Sequence, residues 1–180
     1  MKLQVSTNIK LGLTDLERLD PVTIYLENFE PGRGRITITC FRKSWSASWP
    51  GMGGRSVEQF FVSCDDDYLA GNLSTCRSHV PITDMDELGE YLRGKIIQQR
   101  RCGELEKDDA LKFWNEAGSI TLTNDYCSNT ELMEAVLGEE WWMDLPEKEN
   151  PDFTYLIRII QAVREGLRLY IAQGKEATNG

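Results

Sequence analysis

Cysteine and histidine are the residues of this chain with the widest chemical scope. Cys76 and His79 form a C-x-x-H pair. Zinc binds thiolate sulfur and imidazole nitrogen in a tetrahedral arrangement, so Cys40 and Cys64 could complete a site. Cys64 or Cys76 beside His79 could also act as a nucleophile, although nothing in the sequence marks either thiol as activated. Because the five cysteines are widely spaced and form no C-x-x-C motif, the sequence favours free thiols and predicts neither a metal nor another cofactor.

The loop GMGGRS (51–56) could present backbone N–H groups to an anion, because a strand precedes it and a helix follows. The Walker pattern requires a lysine that this loop lacks, and the dinucleotide fingerprint requires a glycine where Ser56 stands. Arg55 at the start of the helix could still hold a phosphate. We interpret the loop as a plain turn, with a metal- or anion-dependent enzyme as one alternative function.

A basic and aromatic hairpin precedes this loop. Base stacking on aromatic rings stabilises single-stranded nucleic acid by about 1–3 kcal/mol per base, so the hairpin defines another alternative, a nucleic-acid-binding module. Trp45 and Trp49 share a strand face with Ala47, however, which favours their burial under helices. The residues of this alternative are Arg33, Arg35, Arg42, Lys43, Trp45 and Trp49.

Acidic residues dominate the chain and concentrate near its end. The net charge is −9, and residues 125–152 hold nine acidic residues and one lysine, Lys148. Such a surface repels phosphates and favours a basic patch on another protein. Within LGEEWWMDLPEKENP (137–151), large apolar side chains stand among carboxylates, a composition typical of interface anchors, although the tryptophans could instead seal the core. The predicted partner-binding residues are Glu139, Glu140, Trp141, Trp142, Asp144, Glu147 and Glu149.

The elements that position these residues follow from the hydrophobic pattern. Apolar residues alternate with a period of two over 22–29, 35–41 and 44–49, which predicts antiparallel strands, with an earlier strand near LQVSTNIKL. From Ser56 onward the period is helical, and the clearest stripe covers 152–172. We therefore predict an α+β fold, in which a three- to four-stranded antiparallel sheet (roughly 1–50) is covered by about five helices (roughly 56–172).

The chain length of 180 residues fits one domain, 1–180, with a frayed tail at 175–180. No stretch approaches the roughly 18 apolar residues of a membrane span. The N-terminal sequence MKLQVSTNIKLGL has no apolar run of the signal-peptide type. We therefore expect no membrane insertion and a cytoplasmic location.

Three stretches carry a family resemblance: GRITITCFRKSWSASWPGMGG, VEQFFVSCDDDYLAGNLS and DFTYLIRIIQAVREGLR. They resemble a family of small proteins encoded by tailed phages and prophages, over about residues 22–74 and 152–168. The resemblance implies a bacterial host cell, and it transfers no catalytic or ligand residue.

The function predicted from these observations is that of a non-enzymatic phage or prophage accessory protein that binds another protein through its acidic surface. The expected partner is a host or phage protein with a basic surface. A nucleic-acid-handling or host-defence protein fits, because an acidic surface can occupy a positive DNA-binding groove as DNA does. The oligomeric state is left open.

Overall fold

The structure, a computed structural model, describes residue 3 and residues 8–123, 126–143 and 145–178. Within this part the chain forms eight strands and six helices. They make two compact units: a sheet unit, residues 1–78 and 150–180, and a helical unit, residues 79–149. Each unit has its own hydrophobic core. The single-domain expectation stays a prediction, because two compact units can still unfold as one cooperative body.

The sheet unit begins with a four-stranded antiparallel meander in the order β1-β2-β3-β4. Alternation of apolar and polar residues predicted this meander, and the α+β fold class is confirmed. The register pairs Ile24 with Leu11 on one side and with Ile38 on the other, so that the apolar residues fall on one face. The strands are β1 (Ile9–Leu13), β2 (Val22–Glu30), β3 (Arg33–Cys40) and β4 (Lys43–Trp49).

Three helices belong to the sheet unit: α1 (Val57–Ser63), α2 (Asp66–Leu73) and α6 (Pro151–Thr178). Asp65 caps α2 by accepting a hydrogen bond from the Tyr68 N–H at 2.7 Å. Helix α6 starts at Pro151 as predicted and extends six residues beyond the predicted end at 172. Five residues of its predicted apolar stripe lie in the core with the sheet residues, each at most 1% exposed: Leu156, Ile159, Ile160, Val163 and Leu167. The sixth, Tyr170, is half-buried.

The helical unit holds three helices and four short strands. Its core residues include Leu88, Leu92, Phe113 and Met133, all buried. Asp84 caps its first helix, because the Asp84 carboxylate accepts from the Glu87 N–H at 3.0 Å. The elements are β5 (His79–Pro81), α3 (Met85–Cys102), α4 (Lys107–Glu116), β6 (Leu122–Thr123), β7 (Tyr126–Cys127), α5 (Thr130–Leu137) and β8 (Glu147–Glu149).

Two strand pairs in this unit were not predicted from the sequence. Strand β5 pairs antiparallel with β8, and β6 pairs with β7. The first pairing brings the two ends of the helical unit side by side. As for membranes, no helix in the described ranges combines the length and the apolar character needed to cross one.

Candidate functional site

The acidic turn, defined here as residues 138–143, follows directly from the end of α5. Gly138 ends the helix with a φ of 101°, a conformation that glycine adopts without strain. The backbone then folds back on itself, because the Trp141 N–H donates to the Gly138 carbonyl at 3.2 Å and the Met143 N–H to the Glu140 carbonyl at 2.9 Å. The turn is therefore held by its own backbone hydrogen bonds.

The two adjacent tryptophans of the acidic turn have opposite environments. Trp141 is 9% exposed and belongs to the core of the helical unit, whereas Trp142 is 60% exposed and Met143 is 73% exposed. The two indole rings meet edge to face, with centroids 6.0 Å apart. Trp141 thus fixes the turn to the core, and the predicted anchoring role falls to Trp142 and Met143.

The carboxylates around the turn lie at the surface. Glu139 and Glu140 are exposed in the turn, and Glu147 and Glu149 are exposed on β8, where alternate residues share one side of the strand. None of these four forms an ion pair with another described residue. Asp144, also predicted as a binding residue, lies outside the described residues.

Lys148 is the single lysine of the acidic stretch, and it forms an ion pair with Glu87 of α3. It occupies the strand position between Glu147 and Glu149, so it belongs to the other side of β8. Its ammonium is therefore engaged with α3.

The basic hairpin has most of its charge paired. The guanidinium of Arg33 lies 2.6 Å from Glu30, that of Arg35 lies 3.6 Å from Glu27, and the Lys43 ammonium lies 2.6 Å from Asp152. Arg42 remains outside these pairs and lies over the ring of Phe41 at 5.6 Å.

The hairpin tryptophans face the helices. Trp49 is buried and its ring lies 5.3 Å from that of Phe60, while half-buried Trp45 lies 6.5 Å from Tyr155 of α6. An indole that packs on helices offers little face to a base. This geometry does not favour the nucleic-acid alternative.

The GMGGRS loop forms a packed turn. Its Met52 side chain is buried, and the Met52 N–H donates to the Gly32 carbonyl at 2.7 Å. Arg55 turns back, donating to the Met52 carbonyl at 3.0 Å and to Ser63 at 2.8 Å. The Val57 N–H at the helix start already donates to Asn28 at 2.8 Å. The backbone N–H groups of Met52 and Val57 and the Arg55 guanidinium are therefore already engaged within the protein.

The cysteines proposed as zinc ligands have other partners. Cys40 is buried, with its sulfur 3.3 Å from the Tyr155 hydroxyl oxygen, and Cys76 accepts a hydrogen bond from the Asn150 amide at 3.1 Å. All five cysteines are free thiols. Across the described ranges, no three His, Cys, Asp or Glu side chains are grouped so that they could hold a metal ion. The proposed set of Cys40, Cys64, Cys76 and His79 therefore gains no support from the geometry.

Burial governs the reactivity of Cys64. Desolvation raises the pKa of this thiol above its ordinary value of 9.0, and the nearby charge of Arg55 offsets this only in part. A nucleophilic cysteine needs the opposite shift.

An apolar groove between α3 and α4 was missed by the sequence analysis. This α3–α4 groove has a volume of about 520 Å³. Five apolar and three basic residues line it: Ile96, Ile97, Ala110, Leu111, Trp114, Arg100, Arg101 and Lys107. The available signal was the presence of Leu111 and Trp114, three residues apart on one helical face, in addition to the buried Phe113.

Fold and surface together define a small α+β protein with an exposed aromatic and acidic turn. A family model described as a phage family matches residues 1–169, and the chain belongs to that phage family. The match confirms the resemblance predicted from three stretches and extends it over almost the whole chain. No curated protein and no solved structure matches the chain.

Proposed function

We propose that this phage protein is a non-enzymatic accessory protein that binds a basic surface of another protein through its acidic turn and strand β8. The observation that carries the proposal is the exposure of Trp142 and Met143 beside Glu139 and Glu140, which have no ion-pair partner among the described residues. Large apolar side chains are rarely left at a surface side by side without a partner to cover them.

The energetics of such an anchor are favourable. Full burial of a large apolar side chain stabilises a complex by about 1.5–3 kcal/mol, and tryptophan is among the commonest hot-spot residues. Because Trp141 holds the turn to the core, Trp142 loses little conformational freedom on binding. The surrounding carboxylates raise the association rate with a basic partner and exclude acidic ones.

The class of partner follows from charge and setting. A phage protein meets host proteins that handle nucleic acid or act in defence, and their nucleic-acid grooves carry clustered Arg and Lys. The carboxylates of Glu139, Glu140, Glu147 and Glu149 would occupy such a groove in place of phosphates and so inhibit the host protein.

The absence of catalysis is part of the proposal. It is supported by the raised pKa of Cys64 and by the engagement of Arg55 with Met52 and Ser63. Cys64 is one of the two candidate nucleophiles of the enzymatic alternatives, and Arg55 is their candidate anion-binding group.

The test is a pull-down from bacterial host lysate with the wild-type chain, the E139K/E140K variant and the control variant E90K/E104K. The control makes the same change in net charge at two exposed glutamates of the same unit that form no ion pair with a described residue. We expect the control to retain the captured proteins and E139K/E140K to lose them. The same partner set with both variants would reject the acidic turn as the binding site.

The captured protein then allows a functional test. If it is a nucleic-acid-binding protein, the wild-type chain should compete with DNA for it and E139K/E140K should not. Simultaneous binding of DNA and the wild-type chain would contradict the proposed occupation of the DNA groove.

A further inference from the structure

The α3–α4 groove is an apolar surface of the helical unit that the proposed function does not use. Leu111 is 61% exposed on its α4 side, and Ile97 and Trp114 are also exposed. The volume of about 520 Å³ lies within the range of roughly 300–1,000 Å³ that is typical of ligand sites. The groove is therefore large enough to receive bulky side chains.

The charge of the groove is opposite to that of the chain. Its lining contains Arg100, Arg101 and Lys107 and no carboxylate, although the whole chain carries a net charge of −9. None of these three cations forms an ion pair with another described residue. Arg93 adds a fourth cation at one end, 5.3 Å from the centroid of the Trp114 ring. A ligand that fits must therefore combine apolar side chains with carboxylates.

The chain itself displays that combination. In the acidic turn, Trp142 and Met143 are suited to pack on the apolar floor of the groove. Glu139 and Glu140 are suited to pair with the cations at its rim. We infer that the α3–α4 groove binds the acidic turn of a second copy of this chain. This inference rests on the proposed function only because both use the acidic turn. It requires no host protein.

The geometry of this contact is heterologous, because the groove of one copy meets the turn of the next. Each bound copy then retains one free groove or one free turn, so association continues into rings or chains. The contact is small, and the negatively charged copies repel one another, so we expect weak, concentration-dependent association. Host proteins that bind the acidic turn would compete with it.

The test is sedimentation velocity of the full chain over a range of micromolar concentrations. We expect the mean sedimentation coefficient to rise with concentration at low salt. The R100E/R101E variant and the E139K/E140K variant should each weaken association about tenfold or more, because attraction at the rim becomes repulsion. The matched control K10E/R42E reverses two exposed cations of the sheet unit that form no ion pair with a described residue, and it should associate like the wild type.

Two further samples make the test specific. A 1:1 mixture of R100E/R101E with E139K/E140K should recover the association that each variant lacks alone, because the intact turn of the first meets the intact groove of the second and the two reversed surfaces again carry opposite charges. Leu111→Glu, which changes an exposed residue and should fold, places a carboxylate on the groove floor and should abolish self-association. Circular dichroism of each variant checks that the fold is intact.

Three results would overturn the inference: a wild-type chain that stays monomeric at the highest concentration, association unaffected by Leu111→Glu, or a mixture that fails to pair. These results are separable from the proposed function. A monomeric chain that still captures host proteins through Glu139 and Glu140 rejects the groove alone. A self-associating chain whose E139K/E140K variant captures the same host proteins rejects the proposed function alone.

Discussion

At the scale of single residues, Tyr155 and Cys40 link α6 to the sheet. The Cys40 sulfur lies 3.3 Å from the Tyr155 hydroxyl oxygen, and this hydrogen bond, together with burial, raises the pKa of Tyr155 from 10.0 to about 12. The folded state therefore stabilises the neutral, protonated side chain of Tyr155. Its contribution to the free energy of unfolding is fully present below pH 10 and is lost as the pH rises through about 12.

Absorbance titration measures this shift directly. The difference between the titration curves of wild type and Tyr155→Phe isolates one tyrosine among six, and we expect its midpoint near pH 12. In Cys40→Ala the hydrogen bond is absent, so the corresponding midpoint should move down towards 10. A native Tyr155 that titrates at the ordinary value would contradict the contact.

Thiol reactivity is a second residue-scale property. Cys102 is exposed, whereas Cys40 is buried and burial raises the pKa of Cys64. Alkylation at neutral pH, followed by mass spectrometry, should therefore modify Cys102 first, with Cys64 protected relative to the urea-unfolded chain. Preferential modification of Cys64 would restore the hypothesis of a nucleophilic pair with His79.

At the scale of elements, the approach of α1 to the sheet depends on Gly34. A Cβ atom at this position would lie 2.5 Å from the Glu27 carbonyl oxygen and closer still to the Val57 side chain. Gly34→Ala must therefore shift backbone, and we expect a loss of about 1–3 kcal/mol in the free energy of unfolding. Gly12→Ala is the control, because no atom lies within 4 Å of a Cβ at that strand position. Equal urea midpoints for the two variants would disprove the close approach.

The acidic turn gives a second prediction at this scale. Trp141→Ala removes a core side chain and should cost about 3–5 kcal/mol, whereas Trp142→Ala should change stability by less than about 0.5 kcal/mol. Urea denaturation of both variants measures the difference. A large loss in Trp142→Ala would mean that this side chain is structural and unavailable to a partner.

These elements also show how far sequence reasoning reaches. The meander and α6 follow from local periodicity, so their positions were predicted closely. Pairing of β5 with β8 joins residues about seventy positions apart, and three-residue strands carry no periodic signal of their own. The burial of Trp141 and the exposure of Trp142 depend on tertiary packing, which the local sequence around these adjacent residues does not encode. The α3–α4 groove forms where two helices pack side by side, so no single stretch of the sequence predicts it.

At the scale of the whole molecule, the helical unit is inserted between the two segments of the sheet unit. Its ends are adjacent, because His79 pairs with Glu149 across β5 and β8. On the side of the sheet unit, the Asn150 N–H donates to the Ser78 carbonyl at 2.8 Å and its side chain to the Arg77 carbonyl at 2.8 Å. Hydrogen bonds thus lie on each side of the two points where the chain passes from one unit to the other, between residues 78 and 79 and between residues 149 and 150.

This arrangement predicts a single cooperative unfolding transition for 1–180. A helical unit of about seventy residues buries too little surface for large independent stability, and the chain joins it to the sheet unit at both of its ends. Scanning calorimetry should give one peak with equal calorimetric and van't Hoff enthalpies. Gly34→Ala, in the sheet unit, should move the whole peak to lower temperature. Two peaks, of which only one moves in that variant, would make the single-domain prediction wrong and define the helical unit as an autonomous domain.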